Sequence, residues 1–138
     1  MTHWIAVISL EHAKISACSG FLQVCHGKSA PLRRTTAGDE VFIYCARESM
    51  RSGKILQRIE YRCVFNDNRI YQVEQTPEFS PFRKDVTFDT GFQGIRIHDV
   101  QDFELTSNPS WGRLARLGFF EISFHDAVLL RASRKELA

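Results

Sequence analysis

Phe21-Leu22-Gln23-Val24-Cys25-His26-Gly27-Lys28-Ser29-Ala30-Pro31-Leu32 runs a strand pattern straight into a polar, cationic turn and then into the start of a helix. Residues 21–25 are β-compatible, and Gly27 has access to backbone angles closed to other residues. Ser29 followed by Pro31 reads as an N-cap with proline in the first helical turn. A corner of this kind exposes backbone amides beside Lys28, an arrangement suited to an anionic or hydrogen-bonding ligand.

On the N-terminal side of that corner, Trp4 to Ile8 reads as a strand. Ser9 is placed to cap a short helix with Leu10, Ala13 and Ala17 on one face, closed by Gly20. On the C-terminal side, Val41-Phe42-Ile43-Tyr44-Cys45 is a near-continuous apolar run suited to a central strand. Ile55, Ile59, Tyr61, Cys63 and Phe65 alternate with Arg58, Glu60 and Arg62 in a long half-exposed strand, and Asn66-Asp67-Asn68 turns it into 70–74. Pro77 and Pro81 interrupt regular structure, so 76–83 is expected as a loop carrying Phe79 and Phe82 before a strand at 84–88. A brief strand is expected at 95–97, a helical turn capped by Asp99 running to Phe103, and a helix capped by Ser110 and ended near Gly118. Ser123 with Asp126 fits a capping box ahead of a last helix at 127–132. The tail 133–138 is expected to fray. Seven or eight strands with short helices between them argue for an α+β domain whose curved sheet closes or nearly closes.

The 138 residues, 43% of them hydrophobic, fit one domain spanning 1–138 with a substantial core. No apolar run reaches the roughly 18 residues a membrane span needs, and the start lacks a signal-peptide layout, so a cytoplasmic protein without membrane association is expected. Four cysteines, Cys18, Cys25, Cys45 and Cys63, form no C-x-x-C pair and are expected as reduced, mostly buried thiols. A net charge of +2 does not by itself announce a nucleic-acid binder, but its distribution is uneven. From Lys28 to Arg62, Lys28, Arg33, Arg34, Arg47, Arg51, Lys54, Arg58 and Arg62 face only Asp39, Glu40, Glu48 and Glu60.

Taken in order, Trp4-Ile5-Ala6-Val7, Gly20 through Lys28 with Pro31-Leu32, Gly38-Asp39, Tyr71-Gln72-Val73, Pro81 through Val86, and Trp111-Gly112 with Gly118 through Ser123 resemble an EVE domain across nearly the whole chain. That family is similar to the PUA-like superfamily, with the YTH and ASCH domains. The resemblance implies a PUA-like mixed β pseudo-barrel with short flanking helices and a pocket at one mouth. It also implies recognition of modified bases in DNA or RNA.

A reader of modified bases needs flat apolar walls and a few fixed polar groups. Trp4, Phe82 and Trp111 are the candidate walls; Trp4 is equally suited to a core and Phe82 to plugging the bottom of its loop. Ser9, Gln23 and the backbone of His26-Gly27 are candidate edge readers, and Lys28, Arg33 and Arg83 candidate phosphate contacts. Arg83-Lys84-Asp85 has a duller reading as a local ion pair, and the Arg58/Arg62 stripe as the wet face of its strand. No catalytic step is expected. Cys25 and His26 would point to opposite faces of a strand, the five histidines have no H-x-x-x-H spacing for a metal, and the acidic residues are scattered. No cofactor is expected, and a monomer is assumed. The expected partner is nucleic acid carrying modified bases. The alternatives are a small-molecule sensor or hydrolase using the same cavity, or a protein-interaction module working through an edge strand.

Overall fold

The computed structural model describes residues 1–133. Of the tail expected to fray, 134–138 lies outside the described residues. Ser133 is tied in: its hydroxyl donates to the Gly94 carbonyl (2.7 Å), and its own carbonyl accepts from Gln93 N (3.0 Å).

Among the described residues, eight strands and five short α-helices follow one another: β1 (His3–Val7), α1 (Leu10–Ser19), β2 (Phe21–Leu22), α2 (Ala30–Arg33), β3 (Glu40–Arg47), β4 (Ile55–Phe65), β5 (Tyr71–Gln72), β6 (Phe82–Phe88), β7 (Ile95–Arg96), α3 (Glu104–Ser107), α4 (Trp111–Leu117), β8 (Phe119–Ile122) and α5 (Phe124–Arg131). The sheet runs β2-β6-β4-β3-β1-β8, with β5 attached to β6 and β7 to β4. It curls into a mixed half-barrel in which β1 and β3 are parallel and the other pairs antiparallel. The fold is therefore α+β and PUA-like, as expected.

Side-chain alternation explains the sheet's two hydrophobic layers. On β1 and β3, Trp4, Ala6, Val41, Ile43 and Cys45 enter one core, while Ile5, Phe42 and Tyr44 enter the other. Both strands are covered on two faces, which is why their sequences read as unbroken apolar runs. β4 departs from simple alternation. Its pairing with β3 shifts between Ile43–Tyr61 and Tyr44–Ile59, a bulge that turns Ile59 into the second core while Cys63 and Phe65 face the first.

The stripe expected to be wet is partly internal. Arg62 reaches the fully buried Glu40, which also accepts from His3 Nδ1 (2.9 Å) and Arg131 Nε (2.8 Å), so one carboxylate ties β1, β3, β4 and α5 together. Burial would raise the Glu40 carboxyl, but hydrogen bonds from Arg131, Arg62 and His3 outweigh it and leave its pKa below the ordinary value.

Several helix ends differ from expectation. Ser9 and Ser123 do cap α1 and α5, accepting from His12 N (3.3 Å) and Asp126 N (3.1 Å). Ser29 has helical angles (φ −79°, ψ −29°) and makes no side-chain cap, and neither does Ser110. The turn at Ile97–Asp99 ends at Asp99 instead of starting there. Asp126 caps a different helix, its carboxylate accepting from Glu104 N (2.9 Å) and Leu105 N (3.0 Å) at the start of α3.

Candidate functional site

The two ends of the sheet, β2 and β8, are not paired with each other, and the chain leaving β2 meets the chain entering β8 across the gap. Cys25 Sγ donates to the Leu117 carbonyl (3.3 Å), and Val7 N donates to the Gly118 carbonyl (2.8 Å). At this seam opens a cleft of about 510 Å³, within the size range of small-ligand sites. Its floor and walls are built by Val7, Ile8, Ser9 and His12 at the start of α1, Gln23 to Lys28 without Val24 after β2, Gln75 and Phe79 from the loop before β6, and Ala115 to Gly118 at the end of α4; Met50 closes one side.

The opening motif shapes this wall, but as a turn. The strand stops at Leu22, and Cys25, His26 and Gly27 follow with φ of 48°, 59° and 80°, three successive residues in left-handed backbone. Such angles cost most residues energy and persist where surrounding contacts enforce them. Here Gly27 N donates to the Val24 carbonyl (2.9 Å), and the loop carrying Phe79 and Pro81 lies against Gly27. A Cβ on Gly27 would stand 2.4 Å from Pro81 Cβ and 3.2 Å from the Phe79 ring, so only glycine permits the approach that brings Phe79 to the cleft.

Four of the expected ligand residues meet here, Ser9, Gln23, His26 and Gly27, beside Lys28. The expected aromatic walls do not. Trp4 is 4% exposed, stacked on Phe119 at 4.8 Å, with its indole N–H donating to Asp39 (3.1 Å). Asp39 also accepts from Thr2 N and Thr36 N, so the indole completes an internal cap and is no wall. Trp111 packs edge-on against Tyr44 and Phe120 in the second core, and Phe82 packs against the first. Phe79, from the same proline-flanked loop, takes the position expected of Phe82.

Of the three expected phosphate contacts, Lys28 lies on the rim and Arg33 is exposed on α2 outside the lining, whereas Arg83 is half-buried and engaged with other side chains. Its guanidinium sits 3.8 Å above the Phe21 ring and donates to Gln23 Oε1 (2.9 Å) and Gln75 Oε1 (3.0 Å). No ion pair forms within Arg83-Lys84-Asp85. Lys84, 1% exposed, donates to Thr35 Oγ1 (2.8 Å), and Asp85 accepts from Tyr71 OH (2.6 Å).

Sequence reasoning missed His12, Gln75, Phe79 and Arg116 as lining residues. His12 was findable, since the third residue after an N-cap stays on the cap's side of the helix. Burial, and then the Arg83 charge, push the His12 imidazole below its ordinary 6.5, and its Nε2 is enclosed with no partner among the described residues. The Cys25 thiol is moved up by burial, with Lys28 and Arg34 pulling weakly the other way, so it stays protonated near neutral pH. Arg116 joins Lys28 as a second cation in the lining, and no carboxylate lines the cleft among the described residues.

The pattern of the EVE domain matches residues 2–132. Similar chains include a UPF0310 protein of Streptococcus mutans, 37% identical over 123 residues (87% of each chain), and the UPF0310 protein YdcG of Bacillus subtilis, 34% identical over 93% of this chain and 88% of its own. Among solved structures, Rpa0253 of Rhodopseudomonas palustris superposes with a TM-score of 0.64 at 12% identity, covering 97% of this chain and 93% of its own. Human THYN1, solved in complex with DNA containing 5-methylcytosine, superposes with a TM-score of 0.53 at 15% identity over 99% of this chain and all of its own. At those identities the likeness is one of fold. With the domain pattern spanning nearly the whole chain and relatives above 30% identity over most of it, the chain belongs to the EVE domain family.

Proposed function

We propose that this chain is a nucleic-acid-binding module that reads a modified nucleobase, swung out of its strand into the cleft between β2 and β8, with no catalytic step. The observation that carries the reading is the cleft itself. It is open, large enough to admit a nucleotide, bordered by Lys28 and Arg116, free of lining carboxylates among the described residues, and provided with the polar groups of Ser9, Gln23, His12 and His26. Two cations in the lining suit the phosphates on either side of a flipped nucleotide. Phe79 and the imidazoles supply flat contact in place of the tryptophans. Membership of the EVE family and the 5-methylcytosine DNA held by human THYN1 support the ligand class. The protonated Cys25 thiol, hydrogen-bonded to Leu117, speaks for binding over thiol hydrolysis in the same cavity.

The test is fluorescence anisotropy with end-labelled oligonucleotides, each carrying one 5-methylcytosine, 5-hydroxymethylcytosine or N6-methyladenine, against the unmodified strand at low and high salt. Salt-sensitive binding with a preference for one modified strand supports the proposal. Equal affinity for all strands removes the modified-base reading, and no binding to any strand removes the nucleic acid.

A further inference from the structure

We infer that Arg83 sets the hydrogen-bonding polarity of the cleft, so that Gln23 and Gln75 present amide donors and select a base edge with adjacent acceptors, as on the O2/N3 side of a cytosine-type pyrimidine. The inference rests on the nucleobase reading above and specifies which edge is read.

A guanidinium has five N–H donors and no acceptor. The two glutamines that touch Arg83 must therefore turn their carbonyl oxygens toward it, Gln23 at 2.9 Å from Nε and Gln75 at 3.0 Å from Nη2. Carboxamide orientation is ordinarily ambiguous, but here the chemistry of the partner fixes it. The guanidinium is itself immobilised, lying 3.8 Å over Phe21, a ring 6% exposed that also meets the edge of His12 at 6.4 Å. With both oxygens engaged, what each glutamine has left is an NH2 group with two donors. Both residues line the cleft, and no protein group among the described residues accepts from either side-chain amide nitrogen.

Three acceptors on the same wall are already engaged: the Leu117 carbonyl accepts from Cys25, the Gly118 carbonyl from Val7 N and the Ser9 hydroxyl from His12 N. A cleft with free donors and engaged acceptors binds the ligand edge that accepts. Arg83 is thus a positioning residue: it touches no ligand and acts through two glutamines.

The experiment compares two short single-stranded oligonucleotides, identical except that the central residue is 5-methylcytosine or 5-methyl-3-deazacytosine, which keeps the 5-methyl group and a neutral ring but lacks the N3 acceptor. Affinities are measured for the full chain, for Gln23→Glu and for Arg83→Lys, with thermal unfolding of each variant as a check on folding. Gln23→Glu keeps a partner for Arg83, and a better one, while removing the donor. The wild type is expected to favour the strand with N3 available by about tenfold or more. Gln23→Glu is expected to erase that ratio with its unfolding midpoint unchanged or raised. Arg83→Lys, whose single amine cannot fork to both glutamines, is expected to lower the ratio more than the affinity itself. A ratio that survives in Gln23→Glu overturns the inference and leaves the nucleobase site standing. Failure of the wild type to bind either strand overturns the nucleobase site, and this inference with it.

Discussion

Gly27 is held by the contacts that make the cleft. With φ at 80° and only 2.4 Å between the position of an added methyl carbon and Pro81 Cβ, Gly27→Ala must both strain the backbone and push the 76–81 loop away. The expected cost is about 2–4 kcal/mol in urea unfolding, with a matching loss of oligonucleotide affinity as Phe79 withdraws. Trp4 is the contrasting case. Trp4→Phe keeps the stacking on Phe119 but removes the indole hydrogen bond to Asp39. It should cost about 1–2 kcal/mol of stability and leave any preference for a modified base unchanged, measured by unfolding and by anisotropy on one preparation. Sequence identified the Gln23-to-Lys28 corner because glycine and proline mark backbone geometry locally. It misplaced Trp4 because an indole fits a core and a ligand wall equally well, and the deciding partner, Asp39, is 35 positions away. Arg83 was misread for the same reason, since Gln23 lies 60 positions off.

Among elements, the joint formed by β1, β3, β4 and α5 around Glu40 has the clearest stability signature. Glu40→Gln leaves Arg62 and Arg131 facing a neutral amide in a buried setting, at an expected cost of about 3 kcal/mol. Because the folded carboxyl is held below its ordinary 4.5, its contribution is complete above that value and is lost as pH falls through the folded pKa. The acid limb of a stability–pH curve should therefore flatten in Glu40→Gln. His12, at the start of α1, acts at higher pH. Its folded pKa lies below 6.5, so between the two values the unfolded chain binds the extra proton, and stability falls as pH drops below about 6.5. His125, raised by its hydrogen bond to the Asp102 carbonyl, works in the opposite sense, so the measurement is the difference between wild type and His12→Asn over that window. Strands β1, β3, β4 and β6 were legible from alternation and apolar runs. The bulge that turns Ile59 across the sheet was not, since it depends on register with β3. Asp126 was read as completing its own helix's box, because the sequence does not reveal that α3 lies within reach.

For the whole molecule, the curl of the sheet leaves β2 and β8 as facing ends, and the proposed ligand site lies in the gap between them. Lys28 and Arg116 reach it from opposite ends of the sequence. Lys28→Ala and Arg116→Ala should each weaken modified and unmodified strands alike and lower the slope of log affinity against log salt by about 1. An unchanged slope would place the phosphates elsewhere. The half-barrel was readable from the number and spacing of strands together with family landmarks. The site was readable only in part, because a cleft made by five separated segments leaves its clearest local mark in just one of them. The most direct measurement is a ¹H–¹⁵N NMR titration of the chain with a single-stranded oligonucleotide containing one 5-methylcytosine. The largest shifts are expected on His12, Gln23, Cys25 to Lys28, Gln75, Phe79 and Ala115 to Gly118, with the Trp4 indole little moved. Saturating shifts centred on another face, with those residues unmoved, would contradict the proposed site.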